Sequence, residues 1–103
     1  MRVLIVEDDR DQRRLLELVV RQRGHEVAAC GTIAEARAQT PCDLAIVDRH
    51  LPDGDGLELA RELARELEGG VYLLTGDEEP RSTGGLTVLT KPVRPAQLAA
   101  LLG

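Results

Sequence analysis

Six residues carry the side chains best placed to do chemistry: Glu7, Asp8 and Asp9 in a row, then Asp48, Thr75 and Lys91. Each stands at the end of an apolar run. RVLIV leads into the three acids, LAIV into Asp48, VYLL into Thr75 and TVLT into Lys91. Carboxylates brought close together repel and raise one another's pKa. A divalent cation relieves that repulsion, and Mg²⁺ suits a few carboxylates completed by waters. An ammonium group such as Lys91 is drawn to the same cluster. A carboxylate beside Mg²⁺ and an ammonium can attack phosphorus and form an aspartyl phosphate. The two cations then neutralise charge on the transferring phosphoryl group. Thr75 can donate a hydrogen bond to a phosphoryl oxygen.

Such a site needs elements that carry all these positions to one rim. Residues 2–7, 25–30, 43–48, 71–76 and 87–91 read as short strands, apolar throughout and rich in β-branched residues. Between them, residues 11–23 repeat Leu15, Leu16, Val19 and Val20 at helical spacing, with Gly24 as a C-terminal stop. Thr32, with Glu35 three residues later, can form a capping box for a short second helix, closed by Pro41. Residues 56–68 place Leu57, Ala60, Leu63, Ala64 and Leu67 on one stripe. A last short helix begins near Pro95. Apolar strands alternating with helices predict a parallel sheet covered on both faces. In such a sheet ligands bind beyond the carboxyl ends of the strands, where the six residues lie.

One connection departs from this rhythm. GDEEPRSTGGL, residues 76–86, is too short and too polar to supply a packed helix, so an irregular loop with at most one helical turn is expected. Its absence would leave Val, Leu and Tyr72 of the fourth and fifth strands open to a second copy, so a homodimer through that face is expected.

Composition narrows the function classes. The chain of 103 residues is 43% apolar and 30% charged, which suits one globular domain, 1–103. It has no Phe or Trp and one Tyr, so the core is Leu, Val, Ile and Ala. A net charge of −5 disfavours nonspecific nucleic-acid binding. No apolar run reaches the length of a membrane span, and MRVLIVEDD lacks the apolar stretch and cleavage site of a signal peptide, so a cytoplasmic protein is expected. Cys30 and Cys42 fit no metal knuckle or disulfide framework and read as small buried hydrophobes. DGDG, residues 53–56, fails as a calcium loop because Leu57 stands at a ligand position, so its glycines serve turn geometry. His50 has no nearby histidine to complete a zinc site. Asp9 suits the start of the first helix better than a metal.

The ordered set VEDD, LAIVD, HLPDGDG, Thr75-Gly76 and Lys91-Pro92 resembles the receiver domains of bacterial two-component response regulators, over essentially the whole chain. The resemblance implies a flavodoxin-like, doubly wound α/β fold with five parallel strands in the order 2-1-3-4-5, here with the helix between strands 4 and 5 reduced or absent. It implies Asp48 as phosphoacceptor and Mg²⁺ held by Glu7, Asp8, Asp48 and the backbone carbonyl of His50. Thr75 and Lys91 would contact the phosphoryl group. Lys91-Pro92 would be a cis peptide, and the side chains of His50 and Asp77 would tune phosphoryl lifetime. The phosphoryl donor would be a histidine kinase or a phosphotransfer protein, and the only catalysis would be of the chain's own phosphorylation and dephosphorylation.

Two departures bear on the readout. The family commonly has an aromatic residue three before the lysine, and here it is Val88. The short 76–86 segment removes a common output surface. They motivate an alternative, a phosphorylation-independent pseudo-receiver that binds partners. A Mg²⁺ phosphatase with an aspartyl nucleophile is disfavoured because His50 stands where many such enzymes carry a second Asp.

Overall fold

The computed structural model describes residues 1–39, 41–76 and 86–102. In chain order they form β1 (Arg2–Val6), α1 (Arg10–Gln22), β2 (Glu26–Cys30), α2 (Ile33–Ala38), β3 (Leu44–Asp48), β4 (His50–Leu51), β5 (Gly54–Asp55), α3 (Gly56–Ala64), β6 (Val71–Thr75), β7 (Thr87–Thr90) and α4 (Pro95–Leu102). Five strands make one parallel sheet in the order β2-β1-β3-β6-β7. With the small antiparallel β4–β5 hairpin set aside, this is the expected 2-1-3-4-5 order. That hairpin, folded from HLPDGD, was not anticipated from the sequence.

Alternation along the strands divides the core into two layers. Leu4, Val6, Ala45, Val47 and Leu73 pack with Ile33 and Ala36 of α2 and with Leu57, Leu59, Ala60 and Leu63 of α3. Val3, Ile5, Leu44, Ile46 and Leu74 pack with Leu16, Val19 and Val20 of α1 and Leu98 and Leu102 of α4. β3 is buried along its whole length because both layers cover it. Each buried leucine contributes roughly 1.5–3 kcal/mol over an exposed one. Cys30 and Cys42 are buried free thiols.

Helix ends are set locally. The Asp9 carboxylate accepts from the amides of Asp11 at 2.9 Å and Gln12 at 3.1 Å, which starts α1. α1 stops because Gly24 adopts φ +86 and donates to the Arg21 carbonyl at 2.9 Å, while His25 N reaches Val20 O at 3.3 Å. Side chains of Thr32 and Asp53 cap the first amides of α2. Thr32 Oγ1 accepts from Glu35 N, Thr32 O from Ala36 N, and Asp53 from Ile33 N and Ala34 N.

Several expectations are corrected. α3 ends at Ala64 rather than at residue 68, and Arg65–Leu67 continue as turns that still bury Leu67. Leu15 leaves the buried stripe of α1 and is exposed beside Leu18. The open apolar face expected at the fourth and fifth strands is not present among the described residues. Val71, Leu73, Leu74 and Leu89 are buried, and Leu86, the one strongly apolar residue of the 76–86 segment, joins the α2/α3 layer. Tyr72 packs toward α1 and α4, whereas Val88 is paired with Leu73 of the opposite layer, so no patch joins them. The helix expected to be missing between the fourth and fifth strands falls on residues 77–85, outside the described residues. No helix among the described residues is long and apolar enough to cross a membrane.

Candidate phosphoacceptor site

Strand register assembles the site. Val6 pairs with Val47, so Glu7 and Asp48 follow at the same level on adjacent strands. Thr75 pairs with Thr90, and Lys91 N donates to the Thr75 carbonyl at 2.8 Å. That contact turns the Lys91 side chain back over the sheet end. Lys91 Nζ donates to Glu7 Oε1 at 2.9 Å and to Asp48 Oδ2 at 3.1 Å. Glu7 and Thr75 have no solvent exposure and Asp48 almost none, while Asp8 stands at the surface. The amide of His50 donates to Asp48 Oδ1 at 3.3 Å, and the His50 side chain is exposed. Lys91-Pro92 is a cis peptide, as expected. Asp77 lies outside the described residues.

Two buried carboxylates share one ammonium, and their pKa values separate. Burial pushes Glu7 up, the neighbouring Asp48 carboxyl adds to the push, and Lys91 only partly opposes it, giving a value of about 7. Burial also works against the charge of Asp48. Its hydrogen bonds with Glu7 and Lys91, the Lys91 charge and the His50 amide more than offset this and hold it below the usual carboxylate value. Burial likewise disfavours the Lys91 ammonium, but its contacts with Glu7 and Asp48 prevail and raise its pKa. A proton on Glu7 would therefore be shared toward an ionised Asp48. Without that proton, Glu7 Oε2 is buried and has no hydrogen-bond partner.

That orphaned oxygen tests whether a cation fits. A buried carboxylate oxygen with nothing donating to it costs free energy. Glu7, Asp8 and Asp48 each offer an oxygen, and these atoms lie within 4.8 Å of one another. Hard oxygen donors with a solvent-open side at Asp8 suit Mg²⁺, which keeps several waters. The donor set thus fits the ion that the sequence suggested.

Reasoning along the sequence missed three residues that shape this rim. A Cβ on Gly56 would stand 1.9 Å from the Asp48 carbonyl oxygen, so only glycine lets α3 begin against the end of β3. Gly56 N also donates to Arg49 O at 2.7 Å. A glycine opening a helix, where it disfavours helicity, was the available signal. Asp53 straps the loop after Asp48 to α2, with Oδ1 2.9 Å from Ile33 N and Oδ2 3.1 Å from Ala34 N. Arg13 Nη1 donates to the Glu7 carbonyl at 2.9 Å. Neither contact has a signal in local spacing.

The model of the response regulator receiver domain matches residues 3–103. The chain belongs to that family. Among curated relatives, the transcriptional regulatory protein AruR of Pseudomonas aeruginosa is 34% identical over 96% of this chain and 46% of its own length. The virulence transcriptional regulatory protein PhoP of Salmonella typhimurium is 38% identical over 89% of this chain and 46% of its own. This receiver domain therefore spans about half the length of these relatives, or less in others such as the response regulator ARR11 of Arabidopsis thaliana, at 21%. A CheY-like response regulator receiver domain protein from Methanospirillum hungatei superposes with a TM-score of 0.83 at 27% identity, covering 96% of this chain and 87% of that one. A sensor protein from Polaromonas superposes with a TM-score of 0.80 at 29% identity, covering 98% and 91%. Receiver domains are signalling modules of two-component systems that bind Mg²⁺ at an acidic pocket, and Glu7, Asp8 and Asp48 form an acidic cluster that could hold a metal.

Proposed function

We propose that this receiver domain, a single unit over residues 1–103, is a phosphoacceptor switch in which Asp48 takes a phosphoryl group from a histidine kinase or phosphotransfer protein in the cytoplasm. The observation that carries the reading is the pairing of one lysine with two buried carboxylates, Glu7 and Asp48, the first of which keeps one oxygen without a hydrogen-bond partner. Despite burial, the contacts of Asp48 with Glu7, Lys91 and the His50 amide hold its pKa below the usual carboxylate value, which favours the charged form that a nucleophile needs. An Asp48 oxygen forms the new O–P bond, the donor's P–N bond breaks, and its electron pair returns to the donor imidazole. Glu7, Asp8, Asp48 and the His50 carbonyl would hold Mg²⁺, which when bound would supply positive charge against the phosphoryl oxygens. Lys91 gives up its contact with Asp48 and follows the incoming charge, and the Thr75 hydroxyl at the end of β6 donates to a phosphoryl oxygen. His50, exposed two residues beyond Asp48, and Asp77 tune the approach of water to the phosphoryl group.

The change of charge at the buried rim then biases the surrounding loops. Val88 carries no ring, so the readout does not run through an aromatic rotamer at that position. The complete acid, hydroxyl and lysine set gives the phosphorylation-independent alternative no support.

The test is incubation with Mg²⁺ and acetyl phosphate, read by intact mass. One added phosphoryl group in the wild type, lost in Asp48→Asn and on chelation, is expected. A phosphoprotein that persists in Asp48→Asn would overturn the assignment.

A further inference from the structure

Glu7 directly follows β1, and its backbone amide continues the ladder by donating to Cys30 O at 3.0 Å. Its residue is fully buried, so its carbonyl also needs a partner. The described backbone supplies none, and a side chain does. Arg13, in the first turns of α1, leans back toward the helix start as helical side chains do, and its Nη1 reaches the Glu7 oxygen at 2.9 Å. The guanidinium is half-buried against the end of β2, where a Cβ on Gly31 would meet it at 3.1 Å. That same Cβ would lie 3.7 Å from both Asp8 Cα and Glu7 O, so Gly31 and Arg13 together wall the Glu7–Asp8 corner.

The geometry points to Arg13 as a positioning residue for the cation site: by holding the Glu7 carbonyl it fixes the Glu7–Asp8 peptide, and so aims both carboxylates at one ion. The inference rests on the Mg²⁺ reading given above. Outer partners that orient ligands typically matter by about 10–100-fold in metal affinity. Charge and position make opposite demands here, which makes the role separable. Arg13 is a cation near a cation site, so deleting its charge alone would tighten Mg²⁺ binding. Losing the anchor would weaken it.

The experiment is calorimetric titration of the folded wild type, Arg13→Met, Arg13→Lys and Val19→Ala with MgCl₂. Val19 is buried farther along α1 and serves as a control for destabilisation. The expected result is Mg²⁺ affinity weaker by about tenfold or more in Arg13→Met, partly restored in Arg13→Lys, and unchanged in Val19→Ala. Equal or tighter binding by Arg13→Met, beside a wild type that binds, overturns the positioning role and leaves the metal reading intact. Equal weakening in Val19→Ala also overturns it, because loss of stability would then explain the effect. A wild type that binds no Mg²⁺ overturns the metal reading and this inference with it.

Discussion

Replacing Gly56 by alanine should damage the site without touching a reacting group. The added Cβ would fall 1.9 Å from the Asp48 carbonyl oxygen and 2.9 Å from Arg49 Cα, both backbone atoms that no rotamer can move aside. Opening the first distance to an ordinary 3.4 Å contact displaces the start of α3 or the end of β3 by about 1.5 Å. The hydrogen bond from Gly56 N to Arg49 O, 2.7 Å long, opposes any such shift. Overpacking of this kind costs about 1–3 kcal/mol, and each kcal/mol lowers Tm by roughly 4–8 °C in a chain of this size. A misplacement of order 1 Å at a reacting centre can cost about 10²-fold in rate. Phosphorylation by acetyl phosphate, followed by intact mass against time well below Tm, should therefore slow by about two orders of magnitude. Amide spectra should show the perturbation centred on residues 48–50 and 56. A rate within a small factor of wild type, with unchanged Tm, would refute the steric argument.

Other outcomes follow from the same structure. In chelator, stability should fall as pH rises from about 4.5 to about 7 and then level off, because the folded state holds a Glu7 proton that the unfolded state has released. The drop is of order 3 kcal/mol at most and should vanish in Glu7→Gln; denaturant titrations across that range that decline equally in the variant would contradict it. Burial and the Glu35 charge raise the Cys30 thiol to about 11, and burial raises Cys42 as well, so a thiol reagent at neutral pH should react only at the rate of unfolding. Labelling complete within seconds in native buffer would contradict that. Thr32→Ala removes the cap on Glu35 N and should cost about 0.5–2 kcal/mol by thermal melts; no change in Tm would mean that the trans cap from Asp53 suffices alone.

The strands could be placed from the sequence because each is an uninterrupted apolar run ended by polar or turn residues, the pattern of a sheet covered on both faces. The chemical set was legible for the same reason: Glu7, Asp8, Asp48, Thr75 and Lys91 all follow such runs, so a parallel sheet must carry them to one edge. The Asp9, Thr32 and Gly24 ends of helices were legible because capping acts over three or four residues. Other features depend on pairs distant in the chain. Leu15 lies at a helical spacing that suits the core, yet α4 and the sheet leave it in solvent. Asp53 reads as one acid among several in a turn, and only the folded loop brings it to the amides of Ile33 and Ala34.

The sequence by itself determined the parallel α/β architecture and the inventory of its candidate site, since periodicity and the ends of apolar runs are local properties. Only the tertiary structure decided how that inventory divides its charge, because desolvation and the reach of Lys91 exist only once β1, β3, β6 and β7 are in register. It also decided which neighbours hold the edge in place. Gly56 meets the Asp48 carbonyl, Arg13 reaches the Glu7 carbonyl, and Gly31 leaves room for the guanidinium. These contacts are between backbone and side chains from different elements, and no spacing along the chain encodes them.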